Sequence, residues 1–195
     1  MYFSNLSKYL TYKVYNLRKN FYLCGMKELK VVNDELRKMA ISCGLCGQWQ
    51  DEWKYDWDVN RMFSQFYRGI DFFIDKRFVT DEYIKDNFDK ETLRQNGMLV
   101  DDEFSMMNPN NAILIGRSKG TVRMNGFKVT TVYVTDESRL KIICKNRSFA
   151  MVHAYGNTSI DAKAYDSASI VVIRHSDSVS VTAGEEVKIK DEIFS

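Results

Sequence analysis

A chain of 195 residues, 45% of them hydrophobic, is long enough to bury a core in one or two domains, which excludes an intrinsically disordered polypeptide. Its longest uncharged run beside the helical patterns, residues 39–49, falls well short of the roughly 18 apolar residues of a membrane span, so no integral membrane contact is expected. The formal charge is only +2, and four cysteines (Cys24, Cys43, Cys46, Cys144) without framework spacing or a secretion signal are those expected of a protein in a reducing cytoplasm.

Residues 1–25 read as a basic amphipathic extension. Up to residue 27 the chain holds Lys8, Lys13, Arg18, Lys19 and Lys27 and no acid, which leaves the remainder net −3. Leu6, Leu10, Val14, Leu17 and Phe21 form a helical stripe with the lysines off it. Such a helix can lie on an anionic membrane or nucleic acid. The plainer expectations are a helix docked on the body, or sequence upstream of a start at Met26.

Residues 26–97 read as a helical domain. Leu29, Val32, Leu36, Met39 and Cys43 follow three-and-four spacing, and Gly44 stands where a helix stops. Trp49, Trp53 and Trp57 recur every four residues. A third helical run takes in Val59, Met62, Phe63, Phe66, Tyr67, Ile70 and Phe73 after a capping Asp58. "TDEYIKDNF" and "DKETLRQNG" predict two short helices that end by Gly97.

From residue 98 a period of ten replaces the helical rhythm. Tyr-Gly at residues 155–156 returns as Tyr-Asp at residues 165–166, and two columns are apolar: Val122, Val132, Ile142, Val152, Ala162, Val172 and Met124, Val134, Cys144, Ala154, Ala164. A third holds the turn formers Gly126, Asp136, Asn146, Gly156, Asp166 and Ser176, and a fourth is mostly Ser, Thr or Ala. Alternating in-and-out positions with a turn every ten residues predict a β-solenoid (β-helix) over 98–195, in an α+β protein overall. At about 3.3 Å per extended residue, ten residues are better one side of a twenty-residue coil than a whole coil, which would leave no room for a filled interior. The charged ending "EEVKIKDEIFS" reads as a cap over the last open edge.

With alternate tens stacked, one outer face carries Val129, Thr131, Tyr133, Phe149, Met151, His153, Ser169, Val171 and Ile173 and is largely apolar. The other carries Lys119, Thr121, Arg123, Arg139, Lys141, Ile143, Ser159, Asp161 and Lys163 and is polar and mainly basic. Apolar patches of this kind are usually covered. The coverings expected are the chain's own helices, a second copy in a homodimer, or a partner protein docking on Tyr133, Phe149, Met151, His153, Val171 and Ile173.

The stretches "CGLCGQWQDEW", "YRGIDFFI", "NGMLVDDEF" and "NPNNAILIGRS", with the Tyr-Gly decads, resemble uncharacterised proteins of phages and prophages that join a short helical region to a repeat-rich C-terminal half. The resemblance covers about residues 26–185. It implies an accessory role in a bacterial host cytoplasm and transfers no catalytic residue. Phage accessory proteins of this size include inhibitors of host defence, anti-CRISPR proteins among them, which act by binding.

Chemistry-bearing residues are sparse. Cys43 and Cys46 have the spacing of a redox pair or half a zinc site, but Cys43 continues a helical stripe and no second pair follows, so packing is expected. His153 and His175 fall in different columns and need not be close. Asp101, Asp102 and Glu103 read as a solvated turn before a strand, and "GRSKG" lacks a phosphate-loop pattern. No enzyme activity, metal or cofactor is expected. Tryptophans at helical spacing read as core, so nucleic acid is not expected as a direct partner, only through a nucleoprotein. The expectation is a non-catalytic protein-binding module, with a self-associating structural protein as its rival.

Overall fold

The computed structural model describes residues 27–54, 56 and 58–193. The stripe of residues 1–25, Cys24, Met26 and Trp57 lie outside them. Among the described residues there are six helices followed by eleven strands, in two compact units.

The helical unit comprises α1 (Leu29–Ser42), α2 (Gly47–Glu52), α3 (Val59–Arg68) and α4 (Ile70–Lys76). Helix α1 ends at Gly44, where φ of +90° lets the Leu45 N–H turn back to the Ala40 carbonyl at 3.0 Å and the Gly44 N–H to Ile41. Glycine adopts that left-handed conformation without a Cβ penalty. The expected cap at Asp58 is present: its carboxylate accepts the Arg61 N–H at 2.9 Å. Two expectations fail. The tryptophan repeat is not one helix, because α2 stops at Glu52 and Trp53 is already extended. The Val59–Phe73 run is split at Gly69, whose N–H closes α3 on the Gln65 and Phe66 carbonyls before α4 begins.

Val32, Ala40, Leu45, Met62, Phe63, Ile70, Phe73 and Val79 are buried in this unit. Asn33 is fully buried among them, with both ends of its amide satisfied. It donates to the Lys54 carbonyl at 2.8 Å and accepts the Trp53 indole N–H at 2.7 Å.

Helices α5 (Asp81–Asn87) and α6 (Lys90–Gln95) precede the strands. Residues 80–85 and 89–193 pack as the second unit, with 86–88 in the first, so α6 belongs to the solenoid body although the change from helix to strand comes at residue 98 as expected. Strands β1 (Met98–Val100), β3 (Asn111–Ile115), β5 (Val129–Val134), β7 (Phe149–Ala154), β9 (Ser169–Arg174) and β11 (Val187–Asp191) form one parallel sheet. Strands β2 (Glu103–Met107), β4 (Lys119–Asn125), β6 (Arg139–Lys145), β8 (Ser159–Ala164) and β10 (Ser180–Ala183) form the other. Successive strands alternate between sheets, so each coil contributes one strand to each. Val129, Phe149 and Ser169 stand in register, which makes the coil twenty residues long.

Both apolar columns are buried: Val122, Val132, Ile142, Val152, Ala162 and Val172 are 0% exposed, and Cys144 and Ala154 likewise. A third buried column, Leu140, Ala150, Ile160 and Ile170, begins as Gly120 and Thr130 and so was disguised in the sequence. Gly120 is required where it stands, since an added Cβ would fall 2.3 Å from the Phe104 carbonyl and 2.5 Å from its ring. At the corners the turn formers Gly116, Gly126, Asp136, Asn146, Gly156 and Asp166 all have φ between 53° and 76°. Beside them the Ser/Thr column is buried, and Ser138 donates to the Gly116 carbonyl of the preceding coil at 3.1 Å. Among the described residues no helix is long and apolar enough to cross a membrane.

Candidate functional site

The two outer faces of the solenoid share one core and differ in everything else. On the six-stranded sheet the register aligns Val129, Phe149 and Ser169, then Thr131, Met151 and Val171, then Tyr133, His153 and Ile173. Val129 is 66% exposed, whereas Tyr133, Phe149, Met151, His153 and Val171 are half-buried. Ile173 is buried at 6%, and Ile113, which continues the Tyr133 column toward the N-terminus, is 0% exposed. The face is therefore covered at one end and opens toward Val129. Ile173 contributes packing under its neighbours more than contact area.

Sequence reading placed His153 and His175 apart, and the structure brings them together. His153 Nδ1 lies 3.0 Å from His175 Nε2. Tyr133 stacks on His153 with centroids 5.1 Å apart, and Tyr155 stacks on His175 at 4.2 Å, all rings within 13° of parallel. The cause is the coil register: His153 pairs with Ile173, so two residues further along each strand Tyr155 and His175 become neighbours. Column-by-column reading misses a contact that runs diagonally between columns.

Further exposed rings lie at the corners. Phe127, 79% exposed, has the Arg147 guanidinium 5.5 Å over it, and Tyr165, 47% exposed, has the Lys145 ammonium at 5.6 Å. The sequence signal for Phe127 was available: a large apolar residue directly after the turn glycine of "NGF". The five-stranded sheet presents exposed Lys119, Arg123, Arg139 and Lys141, of which Lys141 meets Asp161 at 3.7 Å. That face is basic, as expected.

"DDE" is not the solvated turn its composition suggests. Asp101 does make the turn, at φ 48°, and its carboxylate accepts from Lys85 at 2.7 Å and from the Arg117 N–H at 2.9 Å. Asp102 is 3% exposed and held bidentately by Arg94 at 2.7 and 2.9 Å, with Lys90 at 2.6 Å. Burial pushes its carboxyl up, but Arg94 and Lys90 outweigh that and leave it below the usual carboxylate range. The Lys85 hydrogen bond does the same for Asp101. These carboxylates anchor α5 and α6 to the first coil.

Cys43 is half-buried and Cys46 exposed, both as free thiols. Among the described residues no three His, Cys, Asp or Glu side chains converge as a metal site. Cys144 is buried in the solenoid core, where burial pushes its thiol up to about 11 against the opposing Ser148 hydroxyl. In comparison with known proteins, the sequence matches no family model and no curated protein or solved structure significantly.

Proposed function

We propose that this chain is a non-catalytic binding protein whose solenoid offers the outer face of the six-stranded sheet to another protein. The observation that carries the reading is the contrast between two faces of one scaffold. The fold places equal demands on both, yet one bears charges and the other Val129, Tyr133, Phe149, Met151 and Val171, joined to a stack of four parallel rings. A solenoid needs no apolar outer surface for its core, so such a surface serves a contact. Tyrosine and other aromatic side chains on a rigid sheet are effective anchors because little rotamer freedom is lost when they are buried.

The motifs resembling phage and prophage proteins direct the search to a bacterial host. Host-defence complexes are the first candidates by analogy. The test is a nuclease-treated pull-down from host lysate with three proteins: wild type, Phe149→Asp with Met151→Lys, and Arg139→Glu on the opposite sheet. A protein retained by wild type and Arg139→Glu but lost from the first variant supports the reading. Retention by all three refutes the surface. Light scattering of wild type and the first variant tests the rival, since a dimer that the double substitution dissolves makes the face self-associating.

A further inference from the structure

The helical unit contains a cavity of about 360 Å³, within the range of roughly 300–1,000 Å³ found for small-molecule sites. Trp49, Trp53, Phe66, Phe72, Phe73 and Phe78 wall it, while Ala40 and Gly69 leave it open where larger side chains would fill it. Trp49 rests against Gly69 so closely that an added Cβ would come within 3.1 Å of its ring.

One polar side chain among the lining residues is incompletely used. Gln65 is 8% exposed, and its Oε1 accepts from Arg68 Nη1 at 3.0 Å. A guanidinium only donates, so this bond fixes the amide's orientation and makes the other end the donor. That end, Nε2, is buried and has no hydrogen-bond partner. Arg68 is not a free charge at the rim: it pairs with Glu52 at 3.2 Å and lies over the Trp49 ring at 5.3 Å. A ligand here meets aromatic walls, one unanswered donor and a cation that already has its anion.

From this geometry we propose that the helical unit binds an uncharged, fused-ring aromatic compound carrying one hydrogen-bond acceptor, which Gln65 Nε2 meets. The aromatic faces supply the stacking surface, and the acceptor answers a buried donor that otherwise stays unsatisfied. A mere packing void of the same lining would take up hydrocarbon and ketone alike. The site is independent of the solenoid face and of whatever protein that face contacts.

The test is fluorine NMR titration of the full chain with 5-fluoro-1-indanone and with 5-fluoroindane, which differ by the carbonyl. The wild type is expected to bind the ketone about three- to tenfold more tightly than the hydrocarbon, the increment of one neutral hydrogen bond. Gln65→Leu is expected to level the two, and Leu36→Trp, which fills the cavity, to abolish both; Ala40→Leu replaces it should Leu36→Trp fail to fold. No binding of either compound by the wild type, equal binding of both, a preference that survives Gln65→Leu, or binding unaffected by a folded filler variant overturns the proposal.

Discussion

His153 Nδ1 and His175 Nε2 face each other at 3.0 Å, each imidazole backed by a tyrosine from the same or the neighbouring coil. One of the two nitrogens must donate and the other accept, so the pair fixes two tautomers at once. The contact ties successive coils together outside the backbone ladder. In urea unfolding, His153→Ala and His175→Ala are each expected to cost about 1–2 kcal/mol, as hydrogen bond and stacking are lost. The double variant should fall short of their sum by about 1 kcal/mol. Strict additivity would mean that the two rings are neighbours without being coupled.

A second coupling closes the first coil. Asp102 is buried against Arg94 and Lys90, and its carboxyl is held below the usual range. A depressed carboxylate stabilises the fold at every pH above its unfolded-state pKa, and that contribution disappears as pH falls through the folded value. Acid unfolding is therefore expected to set in below about pH 4, with Asp101 and Asp89 lowered in the same direction. Arg94→Ala should cost about 3 kcal/mol at neutral pH by stripping a buried charge of its main partner. It should also move the acid transition to higher pH, because the orphaned carboxylate protonates sooner. Circular dichroism against pH, for wild type and variant, reads both effects.

These two contacts also mark where sequence legibility stopped. The solenoid was legible because its columns repeat: Val122 through Val172 and the turn residues Asp136, Asn146 and Asp166 each occupy one structural place, and repetition multiplies a weak signal. The twenty-residue coil followed from interior volume alone. The outer faces followed from the same register, including the rows that contain Tyr133, Phe149 and Met151. What escaped were contacts between columns or between elements: the histidine pair, the Arg94–Asp102 anchor, and Phe127 in its corner. The Gly69 break escaped because apolar spacing continues across it, and the Gln65 cavity because an empty space has no residue to announce it.

The cysteines should separate cleanly by reactivity. Thiol reagents attack the thiolate, and Cys144 is fully buried with its thiol raised to about 11, while Cys46 is exposed at the start of α2. Alkylation of the native protein at about pH 8 followed by peptide mass mapping is expected to label Cys46 within minutes. Cys144 should remain unlabelled until denaturant is added. Early labelling of Cys144 would show that the coils open at neutral pH.

Two buried hydroxyls in the solenoid should respond to substitution with opposite signs. Thr130 is 1% exposed, in register with Ala150, and its Oγ1 has no hydrogen-bond partner. Thr130→Val keeps the β-branched shape preferred in a strand and replaces an unsatisfied hydroxyl by a methyl. It is expected to add about 1 kcal/mol of stability. Ser138 is equally buried, but its hydroxyl donates to the Gly116 carbonyl, so Ser138→Ala leaves that acceptor short and should cost about 1 kcal/mol. Differential scanning calorimetry on both variants reads the two signs directly. A loss of stability from Thr130→Val would show that the hydroxyl is satisfied, most simply by a water held between the sheets, and the third core column would then be wet at its N-terminal end.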